Sequence, residues 1–191
     1  MRLATVLMLL AAGAAACSSE TGGGGWSRAP IPDGGEFFPK LELQGIRSAA
    51  DSDALVPVST WEYYDPSGQQ YDLLHVMVVC MWCPHCNNET TEVSKIAGWQ
   101  AEHRVASLQI AIQGYTSQPP TLLELQSWAQ EHNLTFPVLV DGQGAQLGQY
   151  FEVRSVPVNI MVNPRSMAVL GIRVGEVGGV QTYEQGFLDQ L

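Results

Sequence analysis

Basic side chains are scarce in this sequence, where nine Lys and Arg stand against nineteen Asp and Glu and give a formal net charge of -10. Proteins that bind nucleic acid neutralise its phosphates with clustered Lys and Arg. The shortage of these residues therefore argues against a nucleic-acid partner. An acidic surface also disfavours acidic protein partners and favours neutral or cationic ones.

Long hydrophobic runs are lacking as well, because no segment after residue 16 reaches the roughly 18 apolar residues that a membrane-spanning helix needs. The uncharged run over residues 3–16 follows Arg2 and ends in small residues, which is typical of an export signal. Cys17 comes next, as in bacterial lipoprotein signals, and would then carry the lipid. Ordinary cleavage after Ala16 is the alternative, and it would leave Cys17 as a free thiol.

These features predict three parts of the chain. Residues 1–16 form a signal peptide of the lipoprotein type, and residues 17–35 combine the lipidated Cys17 with a Gly- and Ser-rich tether. Residues 36–191 show apolar periodicity and are enough for one ordinary core, so we expect one folded domain. We predict an exported protein on the periplasmic face of a bacterial cell envelope, held at the membrane by a lipid anchor.

The folded part alternates strand and helix patterns. Residues 73–80, LLHVMVVC, are a continuous apolar run of strand length, as in a strand covered on both faces. A helix is predicted from Pro84 to about residue 103, and a capping box at Thr121 and Glu124 opens another. Further strands are predicted at 41–43, 56–58, 105–112, 136–140, 158–162 and 167–174, and further helices near 145–150 and at 183–191. This order indicates an α/β fold with a mixed sheet and helices on both of its faces.

Cysteines are too few for a disulfide scaffold, but three of the four fall within seven residues. Two of these lie where the buried strand gives way to the helix, in the motif Trp82-Cys83-Pro84-His85-Cys86. Unpaired N–H groups and the positive end of the helix dipole favour a thiolate at that position. Cys83 is the predicted exposed nucleophile, and Cys86, one turn further in, is the predicted resolving thiol.

The motif, its position after an apolar strand and the later Val156-Pro157 resemble the thioredoxin superfamily. The resemblance is closest to the membrane-anchored TlpA/ResA-like branch, which is related to AhpC/TSA proteins. It implies a thioredoxin-like fold with an N-terminal strand extension, a cis bond before Pro157, and exchange of disulfides with protein substrates without a cofactor. It further implies that Val156, Pro157 and Trp82 contact the substrate chain, and that a redox partner resets the cysteine pair.

The resemblance also assigns roles within the helix. Glu89 occupies the place where that branch has an acidic residue beneath the cysteines, which implies proton exchange with Cys86. His85 and Pro84 lie between the cysteines, where they would tune the redox couple. Thr91 replaces a proline of the branch, and Met77 replaces the buried Asp of thioredoxin itself. Proton transfer would therefore rest on Glu89 alone or on water.

The direction of electron flow stays open at this stage. The overall layout resembles reductases, whereas Pro84-His85 and the Val before the predicted cis-proline resemble DsbA-type oxidants. Two other functions are alternatives. A peroxiredoxin-like thiol peroxidase would need Thr or Ser where Cys80 stands and an Arg near Pro157. A Cu(I)-binding thioredoxin-like carrier would use the soft ligands of the motif.

The remaining singled-out residues have ordinary interpretations. Cys80 is expected to be a packed, inert thiol. His75, His103 and His132 are expected to have no role in the chemistry, and no metal site is predicted. Met77 and Met81 are expected in the core.

Overall fold

The computed structural model describes residues 37–191. The predicted signal peptide, Cys17, the tether and Glu36 lie outside the described residues. Within residues 37–191 there is no helix of sufficient length and apolar character to cross a membrane.

Seven strands form one mixed sheet in the order β2-β1-β5-β4-β3-β6-β7. The central strands β3, β4 and β5 run parallel, and the outer pairs are antiparallel. Their bounds are β1 Glu42–Ile46, β2 Val56–Ser59, β3 Leu73–Cys80, β4 Val105–Gln113, β5 Val138–Val140, β6 Val158–Asn163 and β7 Ala168–Val174. Every residue of β3 is buried, as its apolar run predicts, and every residue of β4 is buried as well.

Among residues 37–191 there are four α-helices, of which the first three lie between strands and the last follows β7. They are α1 Pro84–Lys95, α2 Ala97–Glu102, α3 Leu122–Glu131 and α4 Val180–Leu188. Short 3-10 helices cover Thr60–Tyr63, Gly142–Gly144 and Leu147–Gln149. Side chains of α1 and α3 meet at Gln109 of β4, whose amide nitrogen donates to Thr90 and whose amide oxygen accepts from Trp128. Leu147 and Phe151 pack against Val78 and Val158, which point to the opposite face of the sheet.

The α/β thioredoxin-like architecture with a mixed central sheet is confirmed, and three local predictions need correction. The helix predicted over 84–103 is two helices, since Ile96 lies outside helical geometry and Gly98 is a weak helix former. The helix predicted near 145–150 is only the 3-10 turn Leu147–Gln149, because glycines flank and interrupt it. The strand predicted at 136–140 begins at Val138, after Pro137, which has no N–H to offer.

Candidate active site

The site forms where β3 ends at Cys80 and α1 begins at Pro84. The chain turns between them, and the N–H of Cys83 donates to the carbonyl of Cys80 over 3.0 Å. Cys83 is the N-cap residue with extended geometry, and Pro84 takes the first helical position, where its missing N–H is harmless. The Cys83 sulfur therefore lies beside the unpaired N–H groups of the first helical turn.

Cys83 carries a strongly acidic thiol. The hydrogen bond from the Cys86 thiol lowers the pKa of Cys83 to about 6, and the backbone N–H groups of Cys86 and His85 and the charge of His85 act in the same direction. Burial opposes these effects, since only 7% of Cys83 is exposed. The sequence predicts a more exposed sulfur than this. The Cys83 thiol donates to the carbonyl of Val156 over 3.8 Å.

Cys86 has the opposite character. It is fully buried on the inner side of α1. Burial raises the pKa of the Cys86 thiol far above its usual range, and the hydrogen bond to Cys83 and the negative charge there raise it further. Both cysteines are in the free thiol form in this structure. The Cys83 thiol therefore ionises readily, whereas the Cys86 thiol keeps its proton.

Glu176 pairs with His85 across the site and was missed by sequence reasoning. Oε2 of Glu176 lies 2.9 Å from Nδ1 of His85, and this hydrogen bond raises the pKa of His85. Glu176 follows β7 by two residues, 91 positions from His85. No local sequence signal marks it, because only the fold brings the two side chains together.

The chain reaches the site a second time at the cis peptide bond between Val156 and Pro157, as predicted. Pro157 is buried and Val156 is half-buried. The carbonyl of Val156 is the group that faces the Cys83 thiol. The predicted association of the cysteine motif with this proline is present in the fold.

Glu89 is buried one turn beyond Cys86, but its hydrogen bonds lead elsewhere. Oε1 accepts from the N–H of Val177 over 2.6 Å, and Oε2 accepts from the side-chain amide of Asn159 over 3.0 Å. Burial raises the pKa of Glu89, while these two donors and the charge of His75 act against the rise. Asn159 and Val177 thus hold the Glu89 carboxyl group, and its proton exchange with Cys86 stays a prediction.

Gln113 at the end of β4 supports the other side of the motif and was also missed. Its Oε1 accepts from the indole N–H of Trp82 over 2.9 Å and from the Cys80 thiol over 3.7 Å. Cys80 is fully buried, as expected of a packed thiol. Met77 and Met81 lie in the core, also as expected.

The thiol peroxidase and the Cu(I) carrier each require particular groups near the cysteines. Among residues 37–191, no group of three or more His, Cys, Asp or Glu is arranged to hold a metal ion. The groups that lower the pKa of Cys83 are a thiol, backbone amides and an imidazole, and none is a guanidinium. Arg154, the arginine just before the cis-proline, pairs with Glu152 and is largely exposed.

Comparison with known proteins supports the fold and the family. The model of the AhpC/TSA family matches residues 37–169. StoA from Bacillus subtilis is 13% identical, with a TM-score of 0.54 over 83% of this chain and 99% of its own. A protein from Chlorobium tepidum assigned as the thiol:disulfide interchange protein DsbE is 13% identical, with a TM-score of 0.60 over 81% and 95%.

AhpC proteins and 2-Cys peroxiredoxins are among the similar structures too. AhpC from Mycobacterium tuberculosis is 18% identical, with a TM-score of 0.59 over 82% of this chain and 95% of its own. No curated protein sequence matches the chain. At these identities the similar structures show a shared fold, and the chemistry has to be argued from the site.

Proposed function

Because the chain belongs to the AhpC/TSA family, whose members are redox enzymes, we propose that it is an extracytoplasmic thiol-disulfide oxidoreductase acting on protein substrates. One observation carries the proposal. The pKa of Cys83 lies near 6 because a second, buried thiol on the same helical turn donates to it. A nucleophilic thiolate with a resolving thiol in contact is what disulfide exchange requires.

The reaction has two balanced steps, written here for reduction of a substrate. The Cys83 thiolate attacks one sulfur of the substrate disulfide, a mixed disulfide forms, and the other substrate sulfur leaves as a thiolate. Cys86 then gives its proton to Glu89 and attacks the Cys83 sulfur, and the second substrate sulfur leaves with its electron pair. The substrate gains two electrons, and the protein ends with a Cys83–Cys86 disulfide. Oxidation of a substrate is the same sequence reversed.

The other site residues act on these sulfurs without reacting. His85 sets how strongly the Cys83 thiolate is stabilised, and Pro84 starts the helix that supplies the N–H groups. Val156 and Pro157 offer the substrate chain an extended segment beside Cys83, and Trp82 forms part of the same surface. Electrons pass through the cysteine pair itself, so the reaction needs no cofactor. A separate redox partner resets the pair after each turnover.

The location outside the cytoplasm rests on the sequence of residues 1–35. An export signal followed by Cys17 would place the lipid on the first mature residue, and the tether over residues 18–35 would follow. This arrangement would keep the domain near protein thiols at the membrane surface.

The test is equilibration of the full chain with glutathione buffers, followed by trapping of thiols. We expect a single two-electron couple that disappears in Cys83→Ser and a stable mixed disulfide in Cys86→Ser. Cys80→Ser is the matched control and should retain the couple. Hydroperoxide turnover that persists in Cys86→Ser would instead support the thiol peroxidase, and Cu(I) retention without a disulfide couple would support the carrier.

A further inference from the structure

Four buried polar side chains form a continuous hydrogen-bonded chain that leads from the active-site helix into the core. Glu89 of α1 accepts from Asn159 of β6 over 3.0 Å. Asn159 lies 2.7 Å from His75 of β3, and His75 lies 2.7 Å from Glu184 of α4. All four are at most 1% exposed. The sequence predicts no role for His75, and the disulfide chemistry proposed above does not use it.

The partners determine which atoms of His75 carry protons. The amide nitrogen of Asn159 donates to Glu89, so its amide oxygen faces Nε2 of His75 and requires a proton there. Oε1 of Glu184 lies 2.7 Å from Nδ1 of His75 and also accepts from Gln100 over 2.7 Å. A carboxylate oxygen can accept from Gln100 and from a proton on Nδ1 at the same time. These contacts fit a doubly protonated imidazole buried against a carboxylate.

Charged groups on every neighbouring element surround this chain. Glu184 faces His75 from α4, and its Oε2 has no hydrogen-bond partner among residues 37–191. Glu176, on the segment after β7, opposes ionisation of Glu89, whereas His75 favours it. Burial disfavours charge on His75, but the hydrogen bond and charge of Glu184 raise its pKa overall. Burial raises the pKa of the Tyr183 phenol, the charge of Arg173 lowers it, and the charge of Glu89 raises it.

We propose that His75 is a positioning residue of the redox centre. Held as an imidazolium between Glu184 and Asn159, it turns the Asn159 amide toward Glu89 and keeps the Glu89 carboxyl ionised at a lower pH than burial alone would allow. Glu89 is then ready to take the proton that Cys86 loses when it attacks the mixed disulfide. This inference rests on the proposed function, because it concerns the proton of the resolving step.

The protonation of His75 can be measured on the unchanged full chain. Nitrogen-15 NMR of the reduced, histidine-labelled protein should show both ring nitrogens of His75 protonated throughout about pH 5 to 8, the range in which an ordinary histidine titrates. A neutral ring with one unprotonated nitrogen near pH 7 would overturn the proposal. The measurement needs no catalytic activity, so it judges His75 even if the protein does not exchange disulfides.

The effect on the chemistry is tested with the double substitution His75→Gln/Glu184→Gln, which removes both charges and keeps side chains that hydrogen-bond. Stopped-flow reaction with oxidised glutathione separates the attack by Cys83 from the resolving attack by Cys86. We expect the resolving step to slow about tenfold near pH 7, the factor that one pH unit represents. Its pH profile should move to more alkaline values, because Glu89 holds its proton longer. Coincident profiles in the variant and the unchanged chain would overturn the proposal.

Two further variants separate positioning from a merely structural effect. His103→Gln is the matched control, since His103 contacts the carbonyl and the ring of Trp99 and, among residues 37–191, makes no hydrogen bond to the four side chains of the buried chain. It should leave the pH profile unchanged. In a Glu89→Gln background, the double substitution should add no further slowing, because the base through which it acts is gone. An equal slowing with and without Glu89 would contradict the proposal. Loss of all disulfide exchange in the unchanged chain would overturn the proposed function instead.

Discussion

Single residues decide how differently two neighbouring sulfur atoms behave. Cys83 receives hydrogen bonds from the first turn of α1 and from Cys86, and its pKa lies near 6. Cys86 lies three residues further along α1, where burial raises its pKa. The same contact between the sulfurs stabilises charge on the first and a proton on the second. Reactivity at this site is therefore a property of the pair.

Glu176→Gln tests how the pair is tuned. Removing this carboxylate removes the main group that raises the pKa of His85, so His85 loses its charge at a lower pH and stabilises the Cys83 thiolate less. We expect alkylation of Cys83 near pH 6 to slow by no more than about fivefold, because exposed ion pairs contribute little. Glu62→Gln, which breaks the exposed pair with Arg47 elsewhere, should have no effect. Unchanged titration of His85 by NMR would show that the pairing is unimportant.

The site residues that the sequence reveals differ from those it does not reveal in how far along the chain their partners lie. Cys83, Cys86 and Glu89 were found because a strand end, a helix start and one turn of helix place them within a few positions of each other. Asn159 and Glu176 were missed because they act over 70 and 91 sequence positions. Polar side chains of this kind have no periodicity, so only the folded chain reveals their partners.

Among the secondary-structure elements, β3 and α1 position the site, and β1 joins β5 to the edge strand β2. β1 was predicted as a strand, but its antiparallel pairing with β5 could not be predicted, because residues 46 and 138 are far apart in the chain. The close approach of these strands depends on Gly45. A Cβ at this position would lie 2.3 Å from the carbonyl oxygen of Val138.

Gly45→Ala is therefore expected to destabilise the protein by about 1–3 kcal/mol, as overpacking does where backbone cannot move aside. Gly98→Ala is the matched control, since a Cβ at Gly98 in α2 meets nothing within 4 Å. It should stabilise the protein by about 0.5–1 kcal/mol through helix propensity. Urea unfolding of the reduced chain measures both. Equal midpoints for the two variants would contradict the described pairing of β1 with β5.

At the scale of the whole molecule, the acidity of one thiol links redox state to stability. In the reduced protein the pKa of Cys83 is depressed from an ordinary value of 9.0 to about 6. A depressed pKa contributes stability that is fully present above the unfolded value and is lost as the pH falls through the folded value. Rising pH between about 6 and 9 therefore stabilises the reduced protein against unfolding, and the disulfide form lacks this contribution because it has no thiolate.

This linkage predicts that the difference in unfolding free energy between the reduced protein and Cys83→Ser depends on pH. Between about pH 6 and pH 9, the folded-to-unfolded ratio of the reduced protein should rise by up to tenfold per pH unit relative to the variant. Urea unfolding under reducing conditions at several pH values measures this difference. A constant difference over this range would mean that Cys83 ionises alike in the folded and unfolded chains.

The most direct measurement is a titration of the reduced full chain carrying Cys17→Ser, followed by the ultraviolet absorbance of thiolate. We predict one step near pH 6 that is absent when Cys83→Ser is added. Cys86 should contribute no step in the neutral range, because burial keeps it protonated. A first step only at about pH 8.5, where unperturbed thiols ionise, would contradict the account.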